Sequence, residues 1–140
     1  MQTRLREEFN NHLYPGSKIL LIHSAVHLVN SESPVRTEEI SYLVDELVRE
    51  GYTLVFPSFT FGFCTSKRFN WLTDNSETGF LADFCWKKPA SLRTTHPIYS
   101  SVILGPLRHE LSRVSEETCF GNGSLFDVLF KRRARVVMLG

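Results

Sequence analysis

The stretch of this 140-residue chain richest in reactive side chains is Thr94-Thr95-His96-Pro97-Ile98-Tyr99-Ser100-Ser101. It sets one histidine among several hydroxyls, directly before an apolar run. An imidazole with an ordinary pKa of about 6.5 is largely neutral at pH 7 and can take a proton from a reacting group. His96 read alone serves equally well as a turn histidine packed against Pro97. A second pair, His23-Ser24, closes the apolar run Lys18–Ile22. Neighbouring strand residues point to opposite faces, which disfavours a direct Ser–His nucleophile pair. A ligand-binding loop after a strand fits the pair, and so does a plain turn. No Gly-x-Ser-x-Gly elbow is present, which weakens a serine hydrolase reading.

Gly121-Asn122-Gly123-Ser124 has the form of a turn that opens a helix, with backbone N–H groups available to an anion. No Gly-Lys-Ser or Gly-Lys-Thr follows, so it is not a P-loop. Simple turn chemistry explains the same glycines. Phe56, Phe59, Phe61, Phe63, Phe69, Trp71, Phe80, Phe84 and Trp86 crowd one third of the chain. Most are expected in the core, and those between Phe59 and Trp71 are candidates for a cleft wall. Asp74 and Glu77 could meet a cationic ligand or simply solvate a loop.

These residues need elements to hold them. Leu5–Leu13 reads as a short helix closed by Pro15-Gly16. Lys18–Ile22 reads as a strand, followed by a loop over Asn30–Ser33. Pro34 fits a first helical turn. Ile40, Leu43, Val44, Leu47 and Val48 then recur at helical spacing, with Gly51 as the stop. Tyr52–Phe56 is the next strand, ended by Pro57. Ser58–Glu77 has no clear period. A helix over Thr78–Lys88 shows Phe80, Leu81, Phe84 and Cys85 on one face. Tyr99–Leu104 is a third strand, and Gly105-Pro106 opens a helix through Val114. Ser124 is a plausible N-cap for a helix whose face is Leu125, Val128, Leu129 and Phe130. Arg135–Leu139 is a last strand. Helices alternating with short apolar strands predict an α/β sandwich around a buried sheet. Ligands of such sheets sit beyond the carboxyl ends of strands, where His23-Ser24 and Pro57-Ser58-Phe59-Thr60 fall.

Composition narrows the class. The apolar fraction is 42% and the charged fraction 22%, with 16 Lys and Arg against 15 Asp and Glu. Collagenous, coiled-coil, disordered and small disulfide-scaffold classes are excluded. A net charge of +1 gives little for nucleic acid to recognise. The basic cluster Lys131-Arg132-Arg133 with Arg135 fits a helix end, where cations are favoured. No apolar run approaches the ~18 residues of a membrane span, and Met1–Asn11 lacks a signal core. Cys64, Cys85 and Cys119 form no CxxC pair, so neither zinc nor a disulfide framework is indicated. Reduced thiols in a cytoplasmic protein are expected. His12, His27 and His109 stand without a supporting constellation and are expected at the surface.

Taken together, the segments resemble the aminoglycoside 3-N-acetyltransferase (antibiotic N-acetyltransferase) family over about Lys18–Gly140. Ile19–Ala25 resembles its first-strand motif ending in His-Ser, and Leu54–Thr60 an apolar strand followed by Pro-Thr-Phe-Thr. Ser76–Leu81 resembles its Ser-x-x-Gly-x-Leu helix start. Arg93–Ser100 resembles Arg-Ser-x-His-Pro-x-His-Ser, and Gly123–Phe126 its Gly-Ser-Pro segment, before the strand Val136–Gly140. The pieces follow the family's order.

The resemblance implies an α/β/α sandwich distinct from the GNAT acetyltransferase fold. It implies an acetyl-CoA-dependent N-acetyltransferase acting on a primary amine of an aminoglycoside or related amino sugar, with no metal. His23, Ser24, Ser58, Phe59, Thr60, Ser100, Gly123 and Ser124 would bind the cofactor. His96 would be the catalytic base, with Asp74, Glu77 and Tyr99 at the substrate. Tyr99 replaces the motif's second histidine and, with a pKa near 10, is a poor base at neutral pH. The family carries a later His and acid constellation, so residues 1–140 are expected to be one acetyltransferase-like domain cut at its C-terminal side. Two alternatives stand beside this: an amino-sugar acetyltransferase of glycan biosynthesis, and a CoA-binding fragment without activity. The basic Lys67-Arg68 pair leans toward the former, since a polycationic drug calls for acids.

Overall fold

A computed structural model describes residues 4–13, 15–25 and 37–139. Its elements in chain order are α1 (Arg4–His12), β1 (Ile19–Ser24), α2 (Thr37–Arg49), β2 (Thr53–Pro57), α3 (Phe63–Ser66) and α4 (Phe80–Trp86). They continue with β3 (Leu92–Arg93), β4 (Ser101–Leu104), α5 (Arg108–Ser112), α6 (Leu125–Lys131) and β5 (Arg135–Leu139). The expected loop over Asn30–Ser33, the helix start at Pro34 and His27 lie outside the described residues, as does the side chain of His12. His109 is exposed, as expected.

The strands form one sheet in the order β3-β4-β2-β1-β5. β1 runs parallel to β2 and to β5, while β4 is antiparallel to both β2 and β3. Side-chain alternation decides which helices cover which face. Leu20, Ile22, Leu54, Phe56, Val102 and Leu104 pack with residues of α1, α2 and α4. Ile19, Leu21, Val55 and Ile103 face the other way, against Leu111 of α5 and Leu125 and Leu129 of α6. The result is the expected α/β/α sandwich. Helix α2 shows how the sequence builds it. Ile40, Leu43, Val44 and Leu47 make its buried stripe, Glu38 and Glu39 open it, and Arg49 closes it, each charge at the favourable end. Gly51 follows at φ +89°, where a side chain would be strained, and Tyr52 N–H donates back to Leu47 O.

Three expected faces are corrected. Phe130 is 84% exposed, because the buried stripe of α6 is Leu125 and Leu129. Phe80 is exposed and Ala82 takes its place under α4. Strand β5 is an edge strand, with Val136 and Met138 exposed and only alternate residues packed. Helix α5 is also shorter than its apolar pattern suggested, since Arg113 leaves helical geometry.

The parallel strands end at Ser24, Pro57 and Leu139, and antiparallel β4 begins beside them at Ser101. Chain direction puts the start of α6 at this same end. From β1 the chain crosses through α2 to β2 on one side, whereas β5 adds on the other. The strand order therefore reverses between β1 and β5, the position where open α/β sheets hold ligands. At the opposite end, Gly105 has φ +115°, and a Cβ there would sit 2.4 Å from Tyr52 O and 2.7 Å from Thr53 Cα. Gly105→Ala should therefore cost about 2 kcal/mol or more in urea unfolding; an unchanged midpoint would contradict this packing.

Candidate active site

The carboxyl end of the sheet is stitched by short polar contacts. Beyond β2, Ser58 N–H donates to Ser100 O and Thr60 N–H to Ile98 O, both at 2.9 Å. The Thr60 hydroxyl donates to Pro97 O at 2.7 Å. Thr78 Oγ1 donates to Pro57 O and accepts from Phe59 N–H. Glu77 N–H donates to Phe59 O. Every backbone N–H of Ser58-Phe59-Thr60 is thus held inside the protein. The segment is positioned rather than left open to a ligand.

Arg93 lies behind this stitching, and its role was not read from the sequence. It is buried, and its guanidinium donates to Ser58 O, Ser100 Oγ, Trp71 O and Asp74 O. It also stacks on Phe69, 5.5 Å from the ring centroid. Burial lowers its pKa, opposed by the charges of Asp83 and Asp74. The planar fork of arginine can serve four acceptors at once, which a lysine cannot. Its place at the head of the Arg-Thr-Thr-His-Pro run was the available signal.

The expected site residues divide into groups. His23 and Ser24, at the end of β1, line a small cavity with Phe56, Pro57 and Thr78. Ser58 Oγ is buried and has no hydrogen-bond partner, so this end of the sheet retains an unsatisfied polar atom. Phe59 joins a cluster of rings. Ser100 Oγ donates to Ser58 O at 2.8 Å. Ser124 caps α6 as expected, accepting from Asp127 N–H at 3.2 Å. Gly123 N–H donates to Asp127 Oδ2. Lys131 and that same bond hold the Asp127 carboxyl below its usual range. Gly123 and Ser124 thus fasten their own turn. Lys131 of the basic cluster is paired with Asp127, and Arg132 with Glu110.

Asp74 and Glu77 line an adjoining cleft of about 550 Å³, walled also by Thr60, Gly62, Arg68 and Phe69. Asp74 Oδ2 accepts from Asn70 N–H and Glu77 Oε2 from Gly62 N–H, each at 2.8 Å. Each carboxylate has one oxygen committed to the loop's own backbone.

His96 has a specific geometry. Its Nδ1 accepts from Ile98 N–H at 3.2 Å and Tyr99 N–H at 3.0 Å. That nitrogen is therefore unprotonated, and the neutral ring carries its proton on Nε2, which stands 3.5 Å from Cys119 Sγ. The lone pair a base would use is spent on the turn. Burial lowers the His96 pKa, against a smaller opposing pull from Glu116. The turn it closes carries Tyr99 into van der Waals range of Phe59 and Phe120, with ring centroids 5.0 and 4.9 Å away. Cys85 is inert by comparison, its thiol pushed up to about 12 by burial. Among the described residues no cluster of three His, Cys, Asp or Glu could hold a metal, and no helix is long and apolar enough to cross a membrane.

A family model described as aminoglycoside 3-N-acetyltransferase matches residues 21–140. No curated protein sequence matches the chain. Among solved structures, the fold is similar to aminoglycoside acetyltransferase AAC(3)-Xa, with a TM-score of 0.74 at 18% identity, covering 94% of this chain and 53% of that one. The YokD protein from Bacillus subtilis gives 0.72 at 17%, covering 94% and 61%. AAC-IIIb in a binary complex with CoASH gives 0.67 at 17%, covering 86% and 52%. The chain spans about half to three fifths of the length of these structures.

Two outcomes test the geometry. Arg93→Met should cost about 3 kcal/mol, because its buried acceptors lose a charged donor. Urea unfolding followed by Trp71 and Trp86 fluorescence reads this, and a loss within ~0.5 kcal/mol would contradict it. A lowered pKa for His96 means that the unfolded chain binds its proton more readily. The stability from keeping His96 neutral is complete above about pH 6.5 and is lost as pH falls through the lower, folded value. His96→Asn keeps an acceptor at the turn and removes the titration. The melting temperature of this variant should fall less than wild type between pH 7.5 and pH 5.5 (a range set by the ordinary value of about 6.5). Parallel falls would contradict the assignment.

Proposed function

Because the chain belongs to the aminoglycoside 3-N-acetyltransferase family, we propose that it serves acetyl transfer from acetyl-CoA to a primary amine of an aminoglycoside or related amino sugar. The observation that carries this reading is convergence. His23-Ser24, Pro57–Thr60, His96–Ser101 and Gly121–Ser124 come from four separate parts of the sequence and lie at one end of the sheet, the end where its parallel strands finish.

Acetyl-CoA supplies the acyl group as a thioester. The amine must be neutral to attack, so a proton has to leave it. The N–C bond forms as the C–S bond breaks, and the thiol departs protonated. In this proposal the side chains of His23 and Ser24 and the ring of Phe59 meet the cofactor, while Ser58, fully buried, holds the segment in place. Thr60, Ser100, Gly123 and Ser124 hold the shape of that site through the internal bonds described above. The part proposed for His96 is to set the turn that presents Tyr99 to the substrate.

A second reading places the amine on a sugar of lower charge, as in glycan biosynthesis. The binding of one oxygen each of Asp74 and Glu77 to backbone, beside Arg68, favours it. It is weighed against the drug reading by the same assay.

Thiol release from acetyl-CoA is measured with the purified chain and either apramycin, sisomicin or glucosamine as acceptor. Release dependent on the antibiotics supports the first reading, and release with glucosamine alone the second. CoA binding without release to any acceptor supports a non-catalytic CoA-binding chain and contradicts both. His96→Asn should retain most of the wild-type rate with an unshifted pH profile, whereas His96→Ala should lose about tenfold or more. A complete loss in His96→Asn would return the base role to this histidine.

A further inference from the structure

The cleft beside Thr60 and Gly62 measures about 550 Å³, within the range of small-molecule sites. Its two carboxylates are each half used. Asp74 gives Oδ2 to Asn70 N–H, and Glu77 gives Oε2 to Gly62 N–H. Asp74 Oδ1 and Glu77 Oε1 have no donor among the described residues. Glu77 is also tied to the sheet end, since its own N–H donates to Phe59 O at 2.8 Å. Two open carboxylate oxygens in one cleft accept from an amine or from sugar hydroxyls.

A third charge in the cleft has the opposite sign. Arg68 lines the same wall, yet it pairs with neither Asp74 nor Glu77. Its backbone is held by Ser66 Oγ, while its guanidinium has no hydrogen bond or ion pair among the described residues. The next residue, Phe69, carries the buried Arg93 guanidinium on its ring. Two carboxylates are therefore set against two cations, one open to the cleft and one buried behind it. A polycation meets no net negative field there. A guanidinium without a carboxylate partner offers its fork of donors to an oxyanion. The ligand that satisfies both signs carries an amine and an acid on one small polar body.

We infer that this cleft takes an amino sugar that also bears an acidic group, phosphate or carboxylate, with Arg68 binding the acid and setting selectivity against polycationic amines. The inference rests on the acetyl-transfer reading in its lower-charge form and names the class of acceptor. The amine end lies toward Glu77, next to the segment that meets the cofactor, and the acidic end toward Arg68.

Isothermal titration of the full chain with CoA, and then with glucosamine, glucosamine 6-phosphate, muramic acid, glucose 6-phosphate and apramycin, tests it. At least one of the two acidic amino sugars should bind about tenfold or more tighter than glucosamine, and tighter than apramycin. Arg68→Ala should bring that ratio to about one, at an unchanged melting temperature, because the side chain has no partner to lose. Arg68→Lys should keep part of the ratio, since the charge remains and the fork is lost. Acidic amino sugars that bind no tighter than glucosamine, a ratio that survives Arg68→Ala, or apramycin as the tightest ligand overturns the inference. Glucose 6-phosphate binding as tightly as glucosamine 6-phosphate also overturns it, because the amine then adds nothing. In each of these cases, thiol release from acetyl-CoA with glucosamine or apramycin keeps the transfer reading intact. Absence of CoA binding overturns both.

Discussion

The buried guanidinium of Arg93 organises the carboxyl end of this protein's sheet. Arg93 sits where β3 meets β4, and its guanidinium gathers the Ser58, Trp71 and Asp74 carbonyls and the Ser100 hydroxyl. Those acceptors belong to three stretches with no regular structure. Without a shared donor, each would have a buried oxygen to satisfy with water or movement, at a cost of about 1–3 kcal/mol apiece. With it, the segment after β2, the aromatic loop and the start of β4 share one donor. The four donor bonds offset the desolvation that burial of the charge demands.

From that anchor the site follows in sequence. The ladder between β2 and β4 continues past the strands through Ser58 to Ser100 and Thr60 to Ile98. It delivers Phe59 against Tyr99, and the His96 turn fixes Tyr99 from the other side. The α6 cap at Ser124 brings Phe126 to the same rings. Hydroxyls that look like ligand-binding groups in the sequence are mostly the fasteners of this arrangement. Ser24 and Ser58 differ, one at a cavity rim and one buried without a partner.

The layer architecture was legible because it depends on periodicity alone. The stripe Ile40, Leu43, Val44, Leu47 and the apolar runs of β1, β2 and β4 could pack in few other ways. The Ser124 cap was legible from residue type and position. Errors fell where neighbours, not periodicity, decide burial: Phe80, Phe130, Val136 and Met138 are apolar yet have no covering element among the described residues. The two residues of β3 are too few to show a pattern. For the site, the order of motifs pointed to the carboxyl end of the sheet but not to the bonds each side chain makes there. His96 has the residue type of a base, and its Nδ1 is committed to two backbone N–H groups. Arg93 is silent in the sequence because a lone arginine before a polar run has no signature until its four acceptors come together in space.

The central claim is that the carboxyl end of the sheet is the CoA-binding surface. Amide chemical-shift mapping on isotopically labelled protein titrated with CoA addresses it most directly. The account predicts shifts concentrated at His23–Ala25, Ser58–Thr60, Ile98–Ser101 and Gly121–Ser124, with the α1 and α2 face unmoved. Shifts confined to that helical face, or to Arg68–Asn75, would contradict it.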